Sequence, residues 1–148
     1  MKIQYHFLLL LIFLGACSGQ VGKKETKSTE EISTVTQQKD SFPAGEVIPS
    51  VNIKDNGYGS FALYLPHQYN QNQHLPALIF LDPHGDGSFP LDRYKGLAEK
   101  FGVVLVGSND SKNGVTFDQT NLIVTSLYSE ISSRLKIDTK QISIAGFS

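Results

Sequence analysis

Ala77-Leu78-Ile79-Phe80-Leu81-Asp82-Pro83-His84-Gly85-Asp86-Gly87, residues 77–87, joins an unbroken apolar run to a turn built from Asp, Pro, His and Gly. A run without polar alternation is the pattern of a strand buried on both faces, as in a parallel sheet. The two glycines permit a backbone that points amide N–H groups into a cleft. Alone, this loop reads either as half of an oxyanion-stabilising site or as an ordinary strand-to-helix turn. His84 beside Asp82 and Asp86 raises the question of a metal, but no second histidine stands at helical ligand spacing. No metal site and no cofactor are expected.

Downstream, Leu91 to Phe101 predicts a helix with Leu91, Tyr94, Leu97, Ala98 and Phe101 on its apolar face, ended by Gly102. Val103 to Val106 predicts a second buried strand. Thr116-Phe117-Asp118-Gln119 has the form of a capping box. It opens a long helix in which Ile123, Leu127, Ile131 and Leu135 recur every fourth residue, with Glu130 and Arg134 expected as an ion pair on the exposed side. Gln141 to Ala145 predicts the last strand. Upstream, Val47–Ile53 and Ser60–Leu65 predict a hairpin around the turn residues Asp55-Asn56-Gly57. After that hairpin the order is strand, helix, strand, helix, strand. The class is therefore α/β: a mostly parallel sheet with right-handed crossover helices on its faces, after an initial antiparallel hairpin. Functional loops belong at the carboxyl ends of such strands.

The second such stretch is Ile142-Ser143-Ile144-Ala145-Gly146-Phe147-Ser148. A strand running into Gly-x-Ser has the form of the first half of a nucleophile elbow, G-x-S-x-G, where a sharp turn exposes the serine hydroxyl. As an isolated tripeptide it carries nothing. At the end of the fifth strand, after a loop of the first kind, it counts.

From about Val47 onward the chain resembles the N-terminal half of the α/β-hydrolase fold. It is most similar to secreted esterases of the polyhydroxybutyrate-depolymerase and feruloyl-esterase type, and to related dipeptidyl-peptidase-like hydrolases. The matching stretches are Leu81–Gly87, with its His84-Gly85 pair, and Leu135–Ser148, where Ile137-Asp138 precedes the serine-bearing strand. The resemblance implies that Ser148 is the nucleophile and that the backbone N–H of Asp86, or else of Gly85, donates to the oxyanion, with His84 and Gly146 as motif residues. Asp82-Pro83 departs from the family pattern, which more often has an apolar residue there. The mechanism also needs a base and an acid that orients it, and in this fold both follow the serine. His67, His74 and His84 all precede it, so the 148-residue chain is expected to be an inactive N-terminal piece of the enzyme.

The N-terminus reads as an address. Lys2 precedes the apolar run Phe7–Leu14, followed by Gly15-Ala16-Cys17. The run would rise only ~12 Å as a helix, against a hydrocarbon core of ~30 Å, so it reads as a secretory signal. Leu14-Gly15-Ala16-Cys17 resembles the lipobox of bacterial lipoproteins, which implies acylation of Cys17, the only cysteine, and a lipid anchor in the cell envelope. Ser18 resembles the form sorted to the outer membrane. From Ser18 to Asp40 only Val21, Ile32 and Val35 are apolar, too few to offset ordering entropy. The expected organisation is a signal peptide over 1–16, a polar tether over 17–45 and a hydrolase domain over 46–148. With 13 Lys+Arg against 14 Asp+Glu the chain has no basic footprint for nucleic acid. A lone cysteine excludes an internal disulfide and any cysteine-based zinc cluster.

These readings predict a serine hydrolase acting on a small-molecule ester, a polyester or a peptide, contacting the membrane only through its lipid. The competing expectation is a lipoprotein that uses the same fold to bind a ligand without catalysis. A truncated pseudogene is the third.

Overall fold

A computed structural model describes residues 40–54 and 59–146. Its elements are β1 (Val47–Asn52), β2 (Ser60–Tyr64), β3 (Leu75–Leu81), α1 (Ser88–Phe101), β4 (Val104–Ser108), α2 (Phe117–Arg134) and β5 (Ile137–Gly146). The strands form one sheet in the order β1-β2-β4-β3-β5. β1 pairs with β2 and β2 with β4 antiparallel, while β3 runs parallel to both β4 and β5. The hairpin and the parallel part are thus as the patterning predicts. The turn residues Asp55, Asn56 and Gly57 lie outside the described residues, as do Cys17, the apolar run before it and residues 18–39. Among the described residues no helix is long and apolar enough to cross a membrane.

The central strands send side chains alternately to two cores. Phe61, Leu63, Ala77, Ile79, Val104 and Val106 face α2, where Leu127 and Ile131 are fully buried. Ala62, Tyr64, Phe80 and Leu105 face α1, meeting Leu91 and Ala98. Phe80 stacks on Tyr94, with centroids 5.4 Å apart. Each helix therefore covers one face, which is why β3 and β4 read as continuous apolar runs. Gly102, with φ of 66°, closes α1 through its N–H to the Ala98 carbonyl. Thr116 and Gln119 exchange side-chain and backbone hydrogen bonds in the predicted capping box.

Several details depart from the sequence reading. Glu130 and Arg134 do pair, but the pair is buried. Glu130 is 1% exposed and also accepts the Lys54 N–H, while Arg134 reaches Asp40 and the Asn52 carbonyl. Helical spacing reported the pair correctly and its surroundings wrongly, because the hairpin end and residues 40–42 fold over that side. Phe42 packs on the core and under the Arg134 guanidinium, and Gly45 donates to the Leu65 carbonyl. Residues 40–45, assigned to the tether by composition, thus touch the body. On α1, Leu97 and Phe101 are 53% and 64% exposed, so the buried stripe is narrower than its apolar pattern.

β5 begins at Ile137, before the predicted Gln141. Leu75 pairs with Ile137 but Ala77 with Ile142, so β5 makes a local excursion. The Asp138 carboxylate closes it by accepting from the Lys140 N–H and the Gln141 side chain. Those hydrogen bonds hold its carboxyl below the usual aspartate value.

Between α1 and β2 the Tyr64 hydroxyl donates to Glu99 at 2.6 Å, and the His67 N–H donates to the same carboxylate. Burial first, then Glu99, pushes the Tyr64 phenol up to about 12. The Tyr64 hydroxyl, then the His67 donors, hold the Glu99 carboxyl down. A carboxyl lowered by folding stabilises the native state above its unfolded pKa, and that contribution is lost as pH falls through the depressed native value. Wild-type protein should therefore lose more melting temperature than Glu99→Gln between about pH 6 and about pH 3. Parallel melting curves for the two proteins across that range would refute the assignment.

Candidate active site

β3, β4 and β5 are parallel, so the loops after β3 and β4 and the end of β5 lie at one end of the sheet. Gly146 pairs with Leu81, which aligns the end of β5 with the start of the loop at Asp82. Ser148 and Phe147 lie outside the described residues. Among the described histidines only His84 sits at this end. His67 follows β2, whose Tyr64 pairs with Leu105 near the start of β4, and His74 immediately precedes β3. Both are thus at the opposite end from the loop.

The loop is pressed onto β4. A methyl group on Gly87 would come within 2.2 Å of the Gly107 carbonyl oxygen, and one on Gly107 within 2.0 Å of the Gly87 carbonyl oxygen. Gly85 has φ of 74° and faces the Asn109 carbonyl. Asn109 ties the loop to the hairpin. Its Oδ1 accepts from the Gly87 N–H at 3.0 Å, while its Nδ2 donates to the Pro49 carbonyl and to Ser60 Oγ. His84 also bridges to Lys112, and the Asn113 N–H donates to the Pro83 carbonyl.

Every amide from His84 to Phe89 has an internal acceptor. Asp82 Oδ1 accepts from the His84 N–H at 2.8 Å and the Asp86 N–H at 3.3 Å. The Asp82 carbonyl accepts from the Gly85 N–H and from Ser111 Oγ, both at 3.2 Å. Asp86 Oδ1 takes the Ser88 and Phe89 N–H groups, which opens α1 three residues before the predicted Leu91. Both amides expected to serve an oxyanion, those of Asp86 and Gly85, are therefore engaged with Asp82. Asp82 is buried, whereas the His84 side chain is 82% exposed with Nδ1 3.5 Å from Asp82 Oδ1.

Beside this loop lies a cleft of about 510 Å³ whose walls include His84, Asp86, Phe89, Pro90, Arg93 and Tyr94. An apolar wall with a few polar groups suits a small organic ligand. No group of three His, Cys, Asp or Glu placed to hold a metal occurs among the described residues. Sequence reasoning placed His84, Gly85 and Asp86 here but missed Asn109, Ser108 and Ser111. The rule that loops gather at the carboxyl ends of parallel strands would have pointed to Gly107-Ser108-Asn109-Asp110.

An esterase from the archaeon Pyrobaculum calidifontis superposes with a TM-score of 0.52 at 20% identity, over 72% of this chain and 36% of that one. A thermophilic esterase from the Planctomycetes species Thermogutta terrifontis gives 0.53 at 17%, over 72% and 41%. A carboxylesterase cloned from a metagenomic library gives 0.53 at 18%, over 76% and 40%. The fold is that of the α/β-hydrolases. This chain spans well under half the length of these hydrolases. No family model and no curated protein matches the sequence.

The mutual contact of Gly87 and Gly107 predicts a sharp asymmetry among glycine substitutions. Gly87→Ala should lower unfolding free energy by about 2–3 kcal/mol through overpacking against backbone. Gly96→Ala, on an open helix surface with nothing within 4 Å, should raise it by about 0.5–1 kcal/mol. Urea unfolding distinguishes them, and equal effects would contradict the packing described.

Proposed function

We propose that the complete protein is a serine carboxylic-ester hydrolase in which Ser148 attacks the ester carbonyl. The observation that carries this is the register Gly146–Leu81, which sets Gly146, two positions before Ser148 in the sequence, at the sheet end that bears His84-Gly85-Asp86. In the reaction the serine oxygen adds to the carbonyl carbon, a histidine takes its proton, and backbone N–H groups hold the oxyanion. The histidines at the far end of the sheet do not suit the role of base. Base and acid then belong to positions following Ser148, in the order usual for this fold. The esterase neighbours favour a small-molecule ester. The His84-Gly85 and Ile137-Asp138 matches favour the secreted depolymerase or feruloyl-esterase type, for which a polyester is also a substrate class. A peptide is the remaining class from the resemblance.

The test uses the protein expressed from the whole reading frame. It should hydrolyse short-chain p-nitrophenyl esters and be labelled by a fluorophosphonate probe, and Ser148→Ala should abolish both without lowering the melting temperature. Labelling that survives Ser148→Ala would place the nucleophile elsewhere. One observation favours a second reading, a ligand-binding lipoprotein without catalysis: the amides from His84 to Phe89 are all occupied internally. A folded full-length protein that never reacts with the probe, yet binds an ester, would establish that reading.

We further propose that Cys17 is acylated and anchors the protein to the bacterial envelope, at the outer membrane by the resemblance of Cys17-Ser18. Labelled palmitate should enter the wild type in a bacterial host and not Cys17→Ser. Equal labelling of both would refute the anchor.

A further inference from the structure

We infer that Asp82 is a positioning residue whose carboxylate occupies the Asp86 N–H, the amide expected to meet the oxyanion, so that a reacting ester must take that N–H from it. The inference rests on the ester-hydrolase reading above. Asp82 is 5% exposed at the carboxyl end of β3. Among the described residues the one basic side chain within 4 Å of it is the exposed His84 ring, at 3.5 Å. A buried carboxylate needs compensation. Here the loop amides supply it, through the His84 N–H at 2.8 Å and the Asp86 N–H at 3.3 Å. The two contacts are unequal: the long one belongs to the amide expected to meet the oxyanion, and the short one holds the turn.

Asn109 and Asp86 itself satisfy the amides that follow. The run that would otherwise form an anion-binding nest is closed from within. A tetrahedral intermediate near Asp86 N would also set a second negative charge close to the Asp82 carboxylate, and that repulsion is strong where water is excluded. Asparagine at position 82 keeps an acceptor oxygen for the His84 N–H and removes the charge. It should loosen the grip on Asp86 N while leaving the turn in place.

The experiment compares wild type with Asp82→Asn in the protein from the whole reading frame. Amide exchange of a peptide covering residues 82–89, followed by mass spectrometry, should be faster in Asp82→Asn. Inhibition is measured with a trifluoromethyl ketone, whose carbonyl carbon takes the serine oxygen, whose oxygen becomes the oxyanion, and whose addition passes the serine proton to the base. Its affinity should rise about tenfold in Asp82→Asn, while that of the matching methyl ketone, which stays trigonal, is unchanged. kcat should rise with KM constant. Unchanged exchange would show that the charge does not hold the amides and would overturn the inference. So would faster exchange with weaker trifluoromethyl ketone binding or a lower kcat, because Asp82 would then build the oxyanion site rather than fill it. If Asp82→Asn fails to fold, Asp82→Ser, which keeps a shorter acceptor, is judged by the same readouts. A wild type that reacts with neither fluorophosphonate nor the ketone refutes the hydrolase reading itself, and the inference falls with it. A reactive wild type with an unaltered Asp82→Asn refutes the inference alone.

Discussion

The parallel pairing of β3 with β4 on one side and β5 on the other constrains everything around it. A parallel neighbour cannot be reached by a tight turn, so α1 and α2 must carry the chain back along the sheet. They do so on opposite faces, so that β4 is buried along its whole length and β3 along most of its own. The same pairing brings the loops after β3 and β4 and the end of β5 to one edge. There the backbone must pass close to itself, and Gly87 and Gly107 meet where no side chain fits. The candidate site is thus a consequence of strand direction before it is a matter of side-chain chemistry.

Two buried carboxylates at different places in the fold are compensated by different means. Glu130 has a cation, Arg134, which is itself shared with Asp40 and covered by Phe42. That arrangement cross-links helix α2 to the hairpin end and to the chain entering the body. Asp82 has its amides instead, and those fix a loop rather than join elements. An ion pair tolerates side-chain adjustment, whereas a carboxylate on backbone N–H groups dictates the local path of the chain. The path of the chain from His84 to Asp86 is accordingly tied to the Asp82 side chain.

Much of this was legible beforehand. Apolar runs at 77–81 and 103–106, Gly102 as a terminator and the Thr116–Gln119 box carry their structural reasons locally, and the elements formed where those reasons placed them. The alternation of elements predicted the parallel pairing and, through it, the common end of the sheet. Errors arose where the answer depended on distant chain. Glu130 looked solvent-facing from helical spacing because nothing in α2 announces that Lys54 and Asp40 will cover it. Leu97 and Phe101 looked buried for the converse reason, since an apolar stripe does not state how wide its partner is. Asn109 went unread because its three partners lie in the hairpin and the first loop, joined only by folding.

The position where the sequence departs from its resemblance is also where the structure is least expected. An apolar residue at 82 would leave the His84 and Asp86 N–H groups without the acceptor that now holds them. Buried donors without partners are costly, so such a loop would turn them toward water or toward a bound anion. With Asp82 in place, the acceptor is part of the protein and the donors face inward. The Gly85 N–H depends less on this choice, because it is held by the main-chain carbonyl of residue 82 whatever its side chain. The side chain at position 82 therefore decides whether the His84 and Asp86 N–H groups are presented to a ligand or kept, while the strand order and the glycine contact beneath them stay the same.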